Sequence, residues 1–327
     1  MLHRLLTLVV GAAGLTSASQ VHPQSAAPAR RAHHALVYDP IAGRVLLAGG
    51  STPTNGGRSF QFFNDLWAFD GAAWAALSRS GTERSGIALV FDSRRQRVLS
   101  FGGYSGSASL GDLRLLEGTS WRTIGQHPEL VAAEAGFVYD SHRDRFVEFG
   151  GSAGQRQSHG DTWELDGDRW TKLPITGPAA RQAQVMIYDP RRQRTVLFGG
   201  MGVLPPGTRQ PPVLGDLWEF DGTTWVERTA AGPSPRMGAG GTYDSKRGLL
   251  IVFGGSDSAG ELGDTWSWDG TTWRKLSDTG PEARAMGYLA YDAKRDRVVL
   301  FGGRKGYPDG DRNDTWEWDG AAWHRVP

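Results

Sequence analysis

Five arginines recur at one position of this 327-residue chain: Arg31, Arg84, Arg181, Arg236 and Arg284, each eight residues ahead of an aspartate that follows an aromatic residue. Where the series calls for a sixth, Ala132 stands instead. Guanidinium groups gathered near one axis would hold a carboxylate or sulfate through paired hydrogen bonds. A second recurring series competes for them. Asp65, Asp112, Asp161, Asp216, Asp264 and Asp314 are placed to start strands at the same end, where they would neutralise the arginines. In the third repeat Asp161 has no arginine and keeps Glu134 and His159 as its polar company, which makes that unit the irregular one. A further basic series, Arg94-Arg95, His142-Arg143, Arg191-Arg192, Lys246-Arg247 and Lys294-Arg295, falls in turns. Spread around a rim, it would face an acidic glycan or protein surface, or simply be solvated.

Other chemistries are poorly supplied. The chain has no cysteine, which excludes disulfides, thiolate metal sites and a cysteine nucleophile. His22, His33, His34, His127, His142, His159 and His324 do not gather at ligand spacing, and Asp309-x-Asp311-x-Asn313 lacks the later Glu of a calcium loop. No metal and no cofactor are therefore expected. With 36 Lys+Arg against 35 Asp+Glu, the net charge of +1 does not suit a dedicated nucleic-acid binder. Met1 to Arg4 followed by the apolar run Leu5 to Leu15 and a small-residue stretch reads as a secretory signal, cleaved near Ala18 or Ser19, and the run is too short to span a bilayer. The expected product is a secreted or periplasmic monomer without a membrane span, led in by a flexible segment over residues 20–30.

The elements that position these groups are written six times. Double glycines recur at Gly49-Gly50, Gly102-Gly103, Gly150-Gly151, Gly199-Gly200, Gly254-Gly255 and Gly302-Gly303, each 11 residues after Tyr38, Phe91, Tyr139, Tyr188, Tyr243 or Tyr291. Tryptophans follow seven apart, as in Trp67/Trp74, Trp163/Trp170, Trp218/Trp225, Trp266/Trp273 and Trp316/Trp323; the second repeat has Arg114 before Trp121. Turn signals divide each unit into four short strands, near 34–38, 44–48, 66–69 and 74–77 in the first. Read as a two-residue hairpin, Asp70-Gly71 predicts that Trp67 meets Trp74 across the turn. A four-stranded sheet with two apolar faces must stack on its neighbours, so the repeats close on themselves.

The Tyr-Asp pair, the basic turn, Val-Leu-Phe-Gly-Gly and Asp-Thr-Trp-x-Trp-Asp-Gly-x-x-Trp resemble the kelch repeat of the galactose oxidase central-domain superfamily over residues 31–327. The resemblance implies an all-β fold: a six-bladed kelch β-propeller with four antiparallel strands per blade and blades contiguous in sequence. Blade limits fall near 31–80, 81–131, 132–179, 180–233, 234–281 and 282–327. The loops after the double glycines share one face, here the top, and the longest belong to repeats one and four, on opposite sides of the ring. The first carries Arg58, Phe60, Phe62 and Phe63; the second carries Arg209. These loops predict a non-catalytic module binding a protein or a carbohydrate. Copper-radical oxidase chemistry needs a cysteine and is excluded. Likeness to secreted sugar mutarotases acting on sialic acid implies an alternative, with Glu83 and Arg84, or Glu282 and Arg284, as acid and guanidinium in an axial pocket. Structural packing within an envelope assembly is the third possibility.

Overall fold

In the computed structural model, residues 27–327 are described apart from Ser80, Gln155, Arg156 and Asp309; the expected signal segment, most of the lead-in and Asp309 lie outside the described residues. The described residues form six antiparallel sheets of four or five strands arranged as a six-bladed propeller, with two further two-stranded hairpins, Ser51–Thr54 with Ser59–Phe62 and Ser152–Gly154 with Gln157–Ser158. Blade one runs Ala35–Asp39, Arg44–Ala48, Asp65–Phe69 and Trp74–Arg79 from the axis outward. Blade six runs Tyr288–Asp292, Arg297–Phe301, Thr315–Trp318 and Trp323–Arg325 in the same order. The innermost strands of the other blades are Ala88–Asp92, Gly136–Asp140, Val185–Asp189 and Gly240–Asp244. Blade four adds a short outlying pairing of Arg181–Gln182 along Arg194–Gly202. None of the described helices is long and apolar enough to cross a membrane.

Each second strand is covered on both faces, which explains its unbroken apolar run. Leu47 faces blade six with Val45, Trp74, Val299 and Phe301, whereas Leu46 and Ala48 face Ile87 and Val98 of blade two. The double glycines have a steric cause. Gly49 and Gly50 have φ of +66° and +101°, and a Cβ on Gly49 would sit 2.6 Å from the Arg84 carbonyl oxygen. Glycine alone allows both the left-handed turn and that approach. The approach is itself a joint between blades: Gly50 N–H donates to the Arg84 carbonyl at 2.9 Å. The same bond recurs from Gly103, Gly151, Gly200 and Gly255, and Gly303 N–H closes the ring onto the Arg31 carbonyl at 2.9 Å. Closure between the last and first blades therefore uses the joint that links every other pair. The Trp74 indole N–H adds a bond of 2.8 Å to Thr315 Oγ1 across that seam.

The tryptophan pairing differs from the sequence expectation. Trp74 lies opposite Phe69, with ring centroids 5.1 Å apart, and Trp67 lies opposite Ala76. The turn holds four residues, because Asp70 Oδ1 accepts the N–H groups of Ala72 and Ala73 at 2.8 and 2.9 Å. Such an Asx turn competes successfully with the tight two-residue alternative. In blade three the turn does hold two residues, Gly167 and Asp168, but it pairs Trp170 with Leu165 rather than Trp163.

Candidate functional site

The five recurring arginines are structural clamps. Arg31 Nη1 and Nη2 donate to Asp65 Oδ1 and Oδ2 at 2.6 and 2.8 Å, and Nη1 also donates to the Gly49 carbonyl. Arg84 grips Asp112, Arg181 grips Asp216, Arg236 grips Asp264 and Arg284 grips Asp314 in the same two-pronged way. These arginine side chains are at most 4% exposed. The Trp67, Trp218, Trp266 and Trp316 indoles donate to the second oxygen of the aspartate two residues before them. Burial pushes the Asp65 carboxyl up, but the hydrogen bonds and charge of Arg31 more than offset this and leave its pKa below the ordinary value. The guanidinium groups thus fasten the blade crossings to the third strands, and four of the five also donate Nε to a nearby carbonyl, whereas Arg84 Nε is buried without a partner among the described residues.

Blade three has no such clamp. Asp161 pairs instead with exposed Lys172 at 2.7 Å, and it influences His159 electrostatically. His127 fills the gap between blades two and three, its ring 4.5 Å from Trp163 and 4.4 Å from Trp170. The corresponding crossings place Gly177, Gly232 and Gly280 against the outer tryptophan of the next blade; here Pro128 holds that sequence position, and its neighbour His127 sets a ring against Trp170. His127 Nδ1 accepts the Leu130 N–H at 2.7 Å, and burial lowers its pKa to about 4. Glu148 is fully buried at the position held by Leu47 and Leu197 in blades one and four, and neither of its oxygens has a hydrogen-bond partner. Burial first and the Asp161 charge second raise its pKa well above the ordinary value.

Glu134 is not part of this cluster. It belongs to a ring of six residues at the top of the axis, His33, Gly86, Glu134, Ala183, Gly238 and Met286, all with φ between +54° and +62°. Each donates its backbone N–H to the carbonyl of the corresponding residue in the preceding blade, from 2.7 Å for Gly86 to His33 up to 3.3 Å for His33 to Met286. The result is a closed hydrogen-bonded hoop. The Glu134 side chain lies flat across Gly86, where a Cβ would come within 2.9 Å of its Cγ, and accepts a short hydrogen bond from His33 Nδ1. Met286 lies across Gly238 in the same manner. Burial raises the Glu134 pKa, but the charge and hydrogen bond of His33, helped by Arg304, hold it below the ordinary value.

Above this hoop opens a funnel of about 380 Å³. Phe60, Phe62 and Tyr104 form one wall, Met201, Met237 and Met286 line the opposite side, and His33 with Glu134 lies at the floor. Below the hoop a narrower axial cavity of about 140 Å³ touches all six inner strands, and a lower funnel of about 500 Å³ is rimmed by Tyr38, Tyr139, Tyr188, Tyr243 and Tyr291.

The structure separates the remaining sequence candidates. Phe60 and Phe62 share one face of the hairpin strand Ser59–Phe62 and enter the funnel, whereas Phe63 is buried beneath the Arg31 guanidinium, 3.9 Å from its ring. Arg58 and Arg209 are exposed on their loops, and of the fourth blade's long loop Met201 is the residue that lines the funnel. Glu83 is exposed; Glu282 is exposed as well, where hydrogen bonds from Lys305 and Arg312 lower its pKa to about 2. Neither acid lines the funnel. At the lower rim, Arg95 bonds to Asp92 and Asp144, Arg143 to Asp140 and Glu164, and Arg247 to Asp244 and Asp296, so the basic turns carry their own counter-charges. Asp311 bonds to Arg304 at 2.5 Å rather than standing ready for a cation. Among the described residues, no three His, Asp or Glu are grouped so as to hold a metal ion.

His33, Tyr104 and the methionines were missed as site residues by motif reading. The signal was available: the position six residues before each Tyr-Asp or Phe-Asp aspartate holds a different residue in almost every repeat, amid otherwise repeating neighbours. No family model matches the chain, and no curated protein matches it.

Proposed function

We propose that the chain is a secreted or periplasmic kelch-type propeller that binds carbohydrate in the top funnel without converting it. The observation that carries this reading is the pairing of an aromatic wall, Phe60, Phe62 and Tyr104, with a hydrogen-bonded carboxylate and imidazole at the floor. Apolar C–H faces of a sugar pack on aromatic rings, while its hydroxyl groups need both donors and acceptors. Glu134 supplies an ionised acceptor, and His33 supplies a ring with one nitrogen already oriented. A concave site of this size suits a sugar ring better than the flat face of a folded protein. The engagement of all five repeated arginines with aspartates supports binding over acid/base turnover by Glu83–Arg84 or Glu282–Arg284.

The His33–Glu134 hydrogen bond favours one second reading, in which the imidazole exchanges a proton with the anomeric hydroxyl of a bound sugar. A glycan-array screen followed by titration calorimetry tests the main reading: Phe62→Ala and Glu134→Gln should each weaken binding about tenfold or more while leaving the thermal transition in place. Anomer exchange followed by NMR separates the two. Acceleration by the parent chain that vanishes in Glu134→Gln would move the assignment to an enzyme, and absence of any glycan ligand would overturn both.

A further inference from the structure

We propose that the ligand is an uncharged oligosaccharide that enters the funnel end first, its successive sugar rings lying on a track of four aromatic side chains; this rests on the carbohydrate reading above. Tyr104, Phe62, Phe60 and Tyr307 follow one another with ring centroids 5.8, 6.3 and 6.4 Å apart, although they come from loops of blades two, one and six. Those steps are comparable to the advance of one pyranose ring along a chain. The track also climbs. Phe62 and Tyr104 are half-buried, Phe60 is 43% exposed and Tyr307 is 57% exposed at the outer end. Tyr307 is held in place by its hydroxyl, which donates to the Gly57 carbonyl at 2.5 Å. The inner end is closed by the backbone hoop, so a chain stops at His33 and Glu134 and leaves along the rings.

Charge selects among sugars. The five recurring guanidinium groups are committed to aspartates, and Arg304, over the Tyr307 ring, is committed to Asp311. The acidic group at the floor is the Glu134 carboxylate, shared with His33 alone among hydrogen-bond partners. A uronic or sialic acid unit reaching the floor would bring a second carboxylate toward it, and among the described residues that line the funnel there is no arginine or lysine to receive it, which costs affinity. A neutral or N-acylated hexose chain meets no such conflict.

Calorimetric titration of the whole chain with neutral oligosaccharide ladders of one to six units, cello- and chito-oligosaccharides among them, and with uronic acid oligomers tests this. Affinity should rise about three- to tenfold for each ring engaged, up to about four units. Tyr307→Ala, outside the funnel wall, should remove the gain from the longest chains and leave monosaccharide binding intact, Phe60→Ala should weaken short and long chains alike, and Tyr307→Phe, which keeps the ring, should retain most of the length gain. Both positions are exposed, so folding is not at stake, and near-UV circular dichroism checks it. Monosaccharide binding that does not strengthen with length would overturn the track and leave the carbohydrate reading standing. Tighter binding of the acidic oligomers would overturn the charge argument. Failure of every sugar, or capture of aromatic-rich peptides alone, would overturn the track and the carbohydrate reading together.

Discussion

Glu148→Leu should stabilise the propeller, and by more at neutral than at acid pH. The carboxyl is fully buried between blades two and three, has no hydrogen-bond partner, and stands where blades one, four, five and six carry leucine or valine and blade two carries Ser100. An unpartnered buried polar group costs about 1–3 kcal/mol, and a leucine of similar length restores apolar packing. The sign of the pH effect follows from burial and the neighbouring Asp161, which raise the pKa of Glu148 well above its ordinary value. A raised acid binds its proton more tightly in the folded state. Its contribution is therefore most favourable below the unfolded pKa of about 4.3 and is lost as pH rises, at about 1 kcal/mol per pH unit until the native carboxyl ionises. The advantage of leucine should accordingly be about 1–3 kcal/mol near pH 4.5, where the unpaired neutral group alone is at stake, and larger near pH 7.5. Thermal denaturation of the parent, Glu148→Leu and Glu148→Gln at both pH values measures it. Glutamine should abolish the pH-dependent part and keep the unpaired-group cost. A leucine gain that is absent, or equal at the two pH values, would refute the claim that this carboxyl is buried without a partner.

Arg236→Met should cost about 3 kcal/mol or more in urea denaturation, because Asp264 is left partly buried with only the Trp266 indole as side-chain donor. Burial raises the Asp264 pKa but Arg236 outweighs it and holds it low, so the parent should lose this contribution as pH falls below about 4, and the variant should show a flatter acid limb. Trp74→Phe removes the bond to Thr315 across the closing seam and should cost about 2 kcal/mol by the same assay, with sugar affinity unchanged. Gly86→Ala places a methyl group 2.9 Å from Glu134 Cγ and should displace that side chain from His33, abolishing funnel binding in calorimetry. Gly238→Ala, with the same positive φ but beneath Met286, supplies the control of equal backbone cost, on the order of 1 kcal/mol, that should retain the His33–Glu134 bond.

What repeats was legible; what varies at a repeating position was not. The double glycines, the aspartates and the tryptophans mark six blades because each answers the same local need six times, for left-handed backbone, for an arginine partner or for apolar bulk. The arginines could be seen but not decided from sequence, since a guanidinium suits a bound anion and a buried aspartate equally well; in the structure each of the five holds an aspartate through a bidentate pair. The Trp67–Trp74 expectation failed because Asp70 caps a four-residue loop, a competition between side chain and backbone that the Asp-Gly pair alone does not reveal. The hoop was hidden more deeply. His33, Glu134, Ala183 and Met286 share a positive φ with Gly86 and Gly238, and nothing in those four residue types announces it.

That concealment has a physical logic. A left-handed residue held by hydrogen bonds to both neighbouring blades keeps its backbone geometry almost regardless of side chain, once the surrounding clamps have overdetermined it. The six hoop positions are therefore free to differ while the scaffold stays close to six-fold. Glycine at Gly86 and Gly238 gives Glu134 and Met286 room to lie across the axis, so the hoop's own residues make its two halves chemically unequal. Blade three extends the same principle: with Ala132 in place of an arginine, His127 takes over the filling of the gap, at the expense of an unpartnered Glu148. Stability in this molecule comes from groups that repeat and are buried, the clamps and the inter-blade backbone bonds. The repeat is broken, without breaking those bonds, at the hoop positions and in loops of unequal length, and the funnel is where such breaks converge.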